Sequence, residues 1–181
     1  MKTITTEKST SHIGRPPGIL LHAGAVKTDK GALLFLGHSK AGKSTICNLL
    51  ATRYELIADD MVHVQYRGGK GWVANNINSY MEAREQYASS KNKTNGVPIH
   101  AIMRIYQSDS VNAQQITQKE LCFQLTNSIL EGIGQSCSYS GFSALHYFRV
   151  VAEMARDLSG WSLHFTKKNE TLSYISSWLP K

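Results

Sequence analysis

The sequence predicts a single α/β domain in which helices pack on a mixed β-sheet. Apolar runs with the pattern of buried strands alternate with segments of helical period along most of the chain. No internal repeat or second domain is visible, and 181 residues can bury a core without disulfides. We assign residues 14–181 to this domain and expect residues 1–13, a polar segment, to form a flexible tail.

The first half of the chain predicts a β-loop-α-β unit followed by a hairpin. A polar turn that closes on glycine separates the first two strands, and a glycine-rich loop leads from the second strand into the helix. Ile46, Leu49 and Leu50 give that helix its apolar face. The predicted elements are strands at 18–26 and 32–36, a helix at 44–53, a short buried strand at 55–58, and a hairpin of strands at 62–66 and 72–74.

The second half predicts a strand, two helices, a further strand and a closing helix. A capping-box pattern, Thr117-Gln118-Lys119-Glu120, starts the first of these helices. In the second helix, we expect an inward apolar face formed by Leu145, Phe148, Val151 and Met154. The predicted elements are a strand at 99–106, a helix from 117 to about 130, a Gly/Ser-rich connection at 132–141, a helix at 142–158, a strand at 161–165 and a helix at 169–178.

Charge and composition limit the partners of the chain. Twenty Lys and Arg against thirteen Asp and Glu give a formal charge of +7, which favours an anionic partner. No helix-turn-helix, zinc finger or RNP-type strand is present, so we do not expect nucleic-acid binding. No apolar run is long enough to cross a bilayer, and no secretory signal is present. We expect a cytoplasmic protein without membrane partners, and with reduced thiols at Cys47, Cys122 and Cys137.

A phosphate-binding loop motif lies between the second strand and the helix. Its pattern is G-x-x-x-x-G-K-[ST], and its residues are Gly37, His38, Ser39, Lys40, Ala41, Gly42, Lys43 and Ser44, with Thr45 in support. The two glycines let the backbone direct its N–H groups and the helix N-terminus toward phosphate oxygens. Lys43 can bind the β- and γ-phosphates, and the Ser44 hydroxyl can ligate the Mg²⁺ that bridges them. The motif predicts binding of ATP with Mg²⁺.

Two carboxylates, Asp59 and Asp60, follow the short strand after the loop helix. Ligands in open α/β sheets sit at the carboxyl ends of strands, which places these acids near the phosphates. One acid can hold the metal or its water, while the other takes a proton from an attacking hydroxyl. We assign the metal role to Asp59, beside Ser44, and keep both acids as candidates for the base. His22 can face the phosphates if its strand neighbours the loop strand.

Three segments in the order LLHAGAV, GALLFLGHSKAGKST and LIADDMV resemble the core of the HPr kinase/phosphorylase family. The resemblance implies a P-loop kinase core of the HPr kinase and PEP carboxykinase-like type, built as a mixed sheet with flanking helices. It also implies that Lys43, Ser44, His22 and Asp60 serve the active site, with the aspartate as general base on a seryl hydroxyl. The choice between Asp60 and Asp59 stays open, because the helix before them is one residue shorter than in the family.

The second, glycine-rich signature of that family is missing, so the chain is more similar to its small stand-alone relatives, such as the lasso-peptide precursor serine kinases. We therefore predict an ATP-dependent, Mg²⁺-requiring kinase that phosphorylates a hydroxyl, most simply a serine of a peptide or protein such as a ribosomal peptide precursor. The alternatives are a non-catalytic ATP-binding regulatory module, a kinase of a small hydroxylated metabolite, and a carboxykinase-like or NTPase enzyme. We expect residues 75–97 and 131–142 to form the acceptor site. Within 75–97, only 81–88 has a helical pattern. The resemblance also allows a homo-oligomer.

Overall fold

The computed structural model describes residues 18–76, 96–135 and 144–178, and shows a mixed β-sheet with flanking helices. The expected tail at 1–13, the helical pattern at 81–88 and Cys137 lie outside these residues. The strands are β1 Ile19–Thr28, β2 Gly31–Leu36, β3 Glu55–Ala58, β4 Met61–Tyr66, β5 Trp72–Asn76, β6 Val97–Gln107, β7 Asn112–Gln115 and β8 Gly160–Phe165. The helices are α1 Lys43–Leu50, α2 Gln118–Gln135, α3 Ala144–Asp157 and α4 Asn169–Trp178, and Gly68–Lys70 forms a short 3₁₀ turn.

Strands β1 and β6 each belong to two parts of the sheet. The larger part has the order β3-β1-β2-β6-β8-β7, and the smaller part has the order β1-β4-β5-β6. β6 runs parallel to β2 and to β8, whereas β1 is antiparallel to β2, β3 and β4. The first half of β1, residues 19–22, pairs with β4, and the second half, residues 23–28, pairs with β2. The strand that leads into the glycine-rich loop, β2, therefore lies between β1 and β6.

β2 is buried on both faces, which explains its uninterrupted apolar sequence. Leu34 and Leu36 pack in the core formed with α2 and α3, and Leu33 and Phe35 pack in the core formed with α1 and α4. All four side chains are at most 1% exposed. Because full burial of such a side chain contributes about 1.5–3 kcal/mol, the strand before the loop is held firmly from both sides.

Both edge strands of the larger part differ from the sequence prediction. The segment at 55–58 is a strand, but the prediction that it is buried is wrong, because Leu56 is 40% exposed. Among the described strands, β3 pairs only with β1, so one of its edges has no neighbouring strand to cover it. At the other edge, β7 was not predicted, because its sequence NAQQ has no apolar alternation. Its antiparallel pairing with β8 holds it in the sheet.

The inward face of α3 is only half predicted. Val151 and Met154 are buried as expected, whereas Leu145 and Phe148 are 62% and 63% exposed. The expected face advances in steps of three residues, and each such step falls about 60° short of a full helical turn. Four positions spaced in this way cannot all face the core. Val150, which the prediction omitted, is buried beside Val151.

Helix α2 begins where the capping box predicts. The Glu120 carboxylate accepts a hydrogen bond from the Thr117 N–H at 2.8 Å, and the Glu120 N–H donates to the Thr117 hydroxyl at 3.2 Å. The predicted end near residue 130 is wrong, because the helix continues through Gln135. A Cβ at Gly132 would lie 3.2 Å from the Met61 side chain and 3.7 Å from the His22 N–H nitrogen. Glycine at 132 therefore lets the helix approach the sheet closely, which offsets its poor helix propensity.

The described cysteines are free thiols, as expected for Cys47 and Cys122. Cys47 is fully buried between α1 and β1. Burial, with a smaller effect from Asp59, raises the pKa of Cys47 to about 12, so this thiol stays protonated at neutral pH. No helix within the described residues is long and apolar enough to cross a membrane.

Candidate active site

The glycine-rich loop connects the end of β2 to the first residue of α1. Gly42 has a φ of 102°, in the region that favours glycine, and the N–H of Ala41 donates to the carbonyl of His38 at 3.0 Å. A Cβ at Gly42 would lie 2.8 Å from the Phe165 ring, and one at Gly37 would lie 2.7 Å from the Ala41 side chain. The loop therefore requires glycine at both positions, at Gly42 for its conformation and its space, and at Gly37 for space.

Lys43 folds back under the loop and is only 7% exposed. Its ammonium donates to the carbonyl of Gly37 at 2.8 Å and to that of His38 at 3.3 Å. Burial lowers the pKa of Lys43 below its usual 10.5, while the carboxylates of Glu131 and Asp60 act in the opposite direction. The charge of Lys43 therefore lies within the electrostatic reach of both acids.

The two aspartates occupy a turn that the sheet holds against β1. β3 pairs with β1 at Ala25, and β4 pairs with it from His22, so the turn between β3 and β4 lies beside the two residues between them. The N–H of Ala23 donates to the carbonyl of Asp60 at 2.9 Å and fixes this turn. The pairing of β1 with β2 brings the same stretch of β1 beside the loop strand. Three strand pairings around β1 therefore place the strand of His22, the turn with the two acids and the loop strand next to one another.

His22 is 4% exposed and lies between two carboxylates. Its Nε2 is 3.1 Å from Oδ1 of Asp60, and its Nδ1 is 2.8 Å from Oε2 of Glu131. The Ser128 hydroxyl also donates to the carbonyl of His22 at 3.1 Å, which ties α2 to β1 at this level. The imidazole is therefore fixed in orientation, whereas the Asp60 side chain that it contacts is 60% exposed. The Asp60 carboxylate therefore faces solvent and is contacted by the buried imidazole.

Asp59 directly precedes Asp60 in the turn. Its charge acts on the thiol of Cys47, which is one helical turn beyond Ser44 in α1. Asp60 instead contacts His22 and acts on the charge of Lys43. The two acids therefore differ in the groups that their charges affect. The sequence left the choice of base between them open.

Glu131 is a site residue that sequence reasoning did not identify. It lies on α2 and meets His22, which is 109 positions away in the chain. The sequence placed it only at the start of the segment 131–142 expected to contribute to the acceptor site. The available signal was an acidic residue directly before Gly132, a glycine at which the helix lies close to the backbone of His22. The sequence alone does not show that His22 is the residue that Glu131 contacts.

Arg104 is the second site residue that sequence reasoning missed. It lies on β6 opposite Leu36, the last residue before the loop. Its Nε is buried and has no hydrogen-bond partner among the described residues, and its guanidinium carbon is 5.6 Å from the centroid of the Tyr106 ring. The charge of Arg104 contributes to the lowering of the Lys43 pKa. A cation inside the apolar run IHAIMRIY was the available signal, because a buried charge needs a reason.

The remaining polar residues of the loop are exposed to solvent. Ser39, Lys40, Ser44 and Thr45 are exposed, and the His38 ring lies 2.6 Å from the carbonyl of Ser39. Within the residues described, no three His, Cys, Asp or Glu side chains are grouped so that they could hold a metal ion by themselves. The donors that fit Mg²⁺ are the hydroxyl of Ser44 and a carboxylate, and Mg²⁺ is commonly completed by substrate phosphates and water. These donors fit a metal that arrives with a nucleotide.

Comparison with known proteins gives a distant likeness of fold. No protein-family model matches the chain, and no curated protein matches it. Among solved structures, the chain is similar to the Hpr(Ser) kinase/phosphatase from Coxiella burnetii, with 13% sequence identity and a TM-score of 0.38. The similarity extends over 87% of this chain and 91% of that one. At this identity and TM-score, the likeness carries no argument about this chain.

Proposed function

We propose that this protein is an ATP-dependent, Mg²⁺-requiring kinase that transfers the γ-phosphoryl group to a hydroxyl, with Asp60 as general base. The observation that carries the proposal is the position of Asp60. Its exposed carboxylate lies 3.1 Å from the buried His22 ring and acts on the charge of Lys43 under the loop. A base, a group that orients it and a cation for the phosphates are the parts that phosphoryl transfer to a hydroxyl requires.

The loop supplies the phosphate half of the proposed site. Backbone N–H groups around Gly42 and the N-terminus of α1 face the triphosphate. Lys43 exchanges its bonds to loop carbonyls for bonds to the β- and γ-phosphates. Arg104, whose Nε is unpaired within the described part of the chain, adds a second cation. The ammonium of Lys43 then stabilises the negative charge that develops on the γ-phosphoryl oxygens.

Ser44 and Asp59 would hold Mg²⁺, because both are exposed residues with oxygen donors and the charge of Asp59 acts on Cys47 of the helix that carries Ser44. When bound, Mg²⁺ neutralises charge on the β- and γ-phosphate oxygens. Under this assignment, the two acids have different roles. Asp59 would bind the metal, and Asp60 accepts the proton of the acceptor hydroxyl.

Asp60 takes the proton of the acceptor hydroxyl as its oxygen bonds to the γ-phosphorus, and the bond from that phosphorus to the β–γ bridging oxygen breaks to release ADP. His22 holds the Asp60 carboxylate in position and is itself held by Glu131. Proton transfer of this kind typically accelerates a reaction by about 10²–10⁴-fold. The side chains around Asp60 therefore contribute by orientation.

The exposure of Asp60 favours an acceptor that is presented by a larger molecule. With 60% of the side chain exposed, the base is open to a hydroxyl on a peptide or protein, most simply a serine. A small metabolite would leave most of this surface in contact with water. A ribosomal peptide precursor is the acceptor class that we propose to test first.

The test is transfer of label from ATP radiolabelled at the γ-phosphate, in the presence of Mg²⁺, to a panel of serine-containing peptides. We expect label on a hydroxyl of at least one peptide, and none with Lys43→Met, which removes the phosphate-directed cation. A folded protein that binds ATP but labels neither peptide, protein nor metabolite would contradict the proposal. That outcome would favour a non-catalytic ATP-binding module.

A further inference from the structure

We propose that the nucleoside half of ATP binds in an open cavity beside the loop, at the carboxyl ends of β6 and β8. The inference rests on the proposed function, because it takes the loop to hold a triphosphate. The cavity has a volume of about 480 Å³ and is lined by residues 107–109 and 165–168, which are the last residue of β6 and of β8 with the residues that follow each strand. Small-molecule sites commonly have about 300–1,000 Å³, so the space suits a base with its ribose.

Two residues that line this cavity, Gln107 and Phe165, also contact the glycine-rich loop. The side-chain amide of Gln107 donates to the carbonyl of Ala41 at 3.4 Å. Phe165 packs so closely on Gly42 that no Cβ would fit between them. A ligand in the cavity would therefore lie next to the residue immediately before Lys43.

The order of strands gives the triphosphate a direction. The acids and His22 lie against β1, on one side of the loop strand β2, whereas the cavity lies at β6 and β8 on the other side. With strands about 4.8 Å apart, the two places are separated by roughly 10–14 Å. If the γ-phosphate lies beside Asp60, the α-phosphate must point toward β6, and the nucleoside follows it into the cavity.

The lining has the chemistry for that occupant. Asp109, Lys167 and Lys168 are exposed side chains at the rim, and Phe165 is the aromatic residue among the lining positions. A carboxylate can accept hydrogen bonds from ribose hydroxyls, and the two ammonium groups suit the phosphate end of the nucleoside. The lining also includes apolar surface, which suits a base.

The two walls are held by hydrogen bonds, so the cavity exists before any ligand binds. The N–H of Ser108 donates to the carbonyl of Phe165 at 2.9 Å, which joins the wall at β6 to the wall at β8. The Thr171 hydroxyl donates to the carbonyl of Thr166 at 2.8 Å, which ties the second wall to α4. A preformed cavity costs little ordering entropy when a ligand enters.

The experiment is isothermal titration of the full chain with Mg-ATP and, separately, with Mg-tripolyphosphate, which lacks the nucleoside. Ser108→Trp places an indole at a lining position, and Ser110→Trp is the matched control in the same turn, exposed and outside the lining. We expect Ser108→Trp to weaken ATP binding by about tenfold or more and to leave tripolyphosphate binding within about twofold. Ser110→Trp should change neither affinity.

An unchanged affinity of Ser108→Trp for ATP would overturn the inference. Equal losses for both ligands would also overturn it, because the indole would then act on the loop. If circular dichroism shows that Ser108→Trp is unfolded, Asp109→Trp at the exposed rim gives the same comparison. Wild-type protein that binds tripolyphosphate as tightly as ATP would refute the cavity but keep the loop, whereas binding of neither ligand would refute the proposed function as well.

Discussion

His22 is the most constrained side chain of the proposed site, because a carboxylate faces each of its ring nitrogens. Glu131 lies 2.8 Å from Nδ1, and Asp60 lies 3.1 Å from Nε2. A neutral imidazole has one N–H donor and one acceptor nitrogen. Hydrogen bonds to both ionised carboxylates require an N–H on each ring nitrogen, and in that form Nε2–H holds the Asp60 carboxylate while Nδ1–H donates to Glu131. Glu131 is then a positioning residue that acts through His22.

Glu131→Gln should lower kcat by about 10- to 100-fold, because the imidazole loses the charge that orients it, while KM for ATP changes little. The pH profile of kcat should also shift, because the imidazole no longer has a carboxylate on both sides. Steady-state kinetics across pH measure both effects. Glu120→Gln, at the other end of the same helix, is the matched control and should leave the profile unchanged. An unaltered kcat and profile in Glu131→Gln would remove Glu131 from the site.

ATP binding should weaken at alkaline pH, because burial lowers the pKa of Lys43 below 10.5. Only the ammonium form attracts phosphate, so affinity should be full below the lowered pKa and should fall as pH rises through it. The bound anion raises that pKa, so binding takes up protons in this range. Titration calorimetry in two buffers of different ionisation enthalpy measures the uptake. Lys40→Met, which removes an exposed loop lysine, should keep the same pH dependence, whereas a flat wild-type affinity up to pH 10.5 would contradict the role of Lys43.

At the scale of elements, the site depends on how closely α1 and α2 approach β1. Two glycines make these approaches possible: Gly132 in α2 lies against the backbone of His22, and Gly24 in β1 lies against the Cys47 thiol of α1. Both contacts are made at the stretch of β1 that carries His22. A shift of either helix would therefore change the distances among Lys43, His22 and the acids.

Gly24→Ala should destabilise the protein by about 1–3 kcal/mol, because the new methyl group would collide with Cys47 Sγ. In the double variant with Cys47→Ala, most of this loss should disappear, since the smaller side chain leaves room. Urea denaturation of the wild type, both single variants and the double variant gives the coupling free energy. Additive effects of the two substitutions would show that α1 does not pack on β1 through this contact.

At the scale of the whole molecule, β6 holds the fold together. It pairs with β2, β5 and β8, and it lies between the loop strand and the proposed nucleoside cavity. The two parallel pairings of β6 join segments that are far apart in the chain, which is the kind of contact that local sequence patterns do not specify. The position of Arg104 beside the loop is a consequence of this central placement.

Ile102→Ala should lower the free energy of unfolding by about 2–5 kcal/mol, because Ile102 is fully buried at the centre of β6. Leu56→Ala, on the exposed edge strand β3, removes a side chain of the same size and should cost less than about 1 kcal/mol. Chemical denaturation of the two variants gives the comparison directly. Similar losses at both positions would contradict the assignment of β6 to the centre and β3 to the edge.

The parts of the fold that sequence predicted are those with local signals. The apolar strands around the loop, the loop itself and the capping box at Thr117 are each readable within about ten residues. His22 was predicted to face the phosphates only on the condition that its strand neighbours the loop strand, and β1 does pair with β2, whereas its contact with Asp60 was not predicted. Glu131 and Arg104 could not be assigned, because their roles depend on where α2 and β6 lie in the fold. The exposed Leu145 and Phe148 were misassigned because apolar identity alone does not decide which helix face is covered.

The central claim is that Asp60 takes the proton while the loop binds ATP, and comparison of Asp60→Asn with Asp59→Asn tests it most directly. Both ATP affinity and the rate of γ-phosphoryl transfer should be measured over a range of Mg²⁺ concentrations up to saturation. The account predicts that Asp60→Asn binds ATP within about threefold of wild type and transfers phosphate about 10²–10⁴-fold more slowly, as for loss of a general base. Asp59→Asn should instead require more Mg²⁺ for the same rate. A rate of γ-phosphoryl transfer in Asp60→Asn equal to that of the wild type would contradict the account.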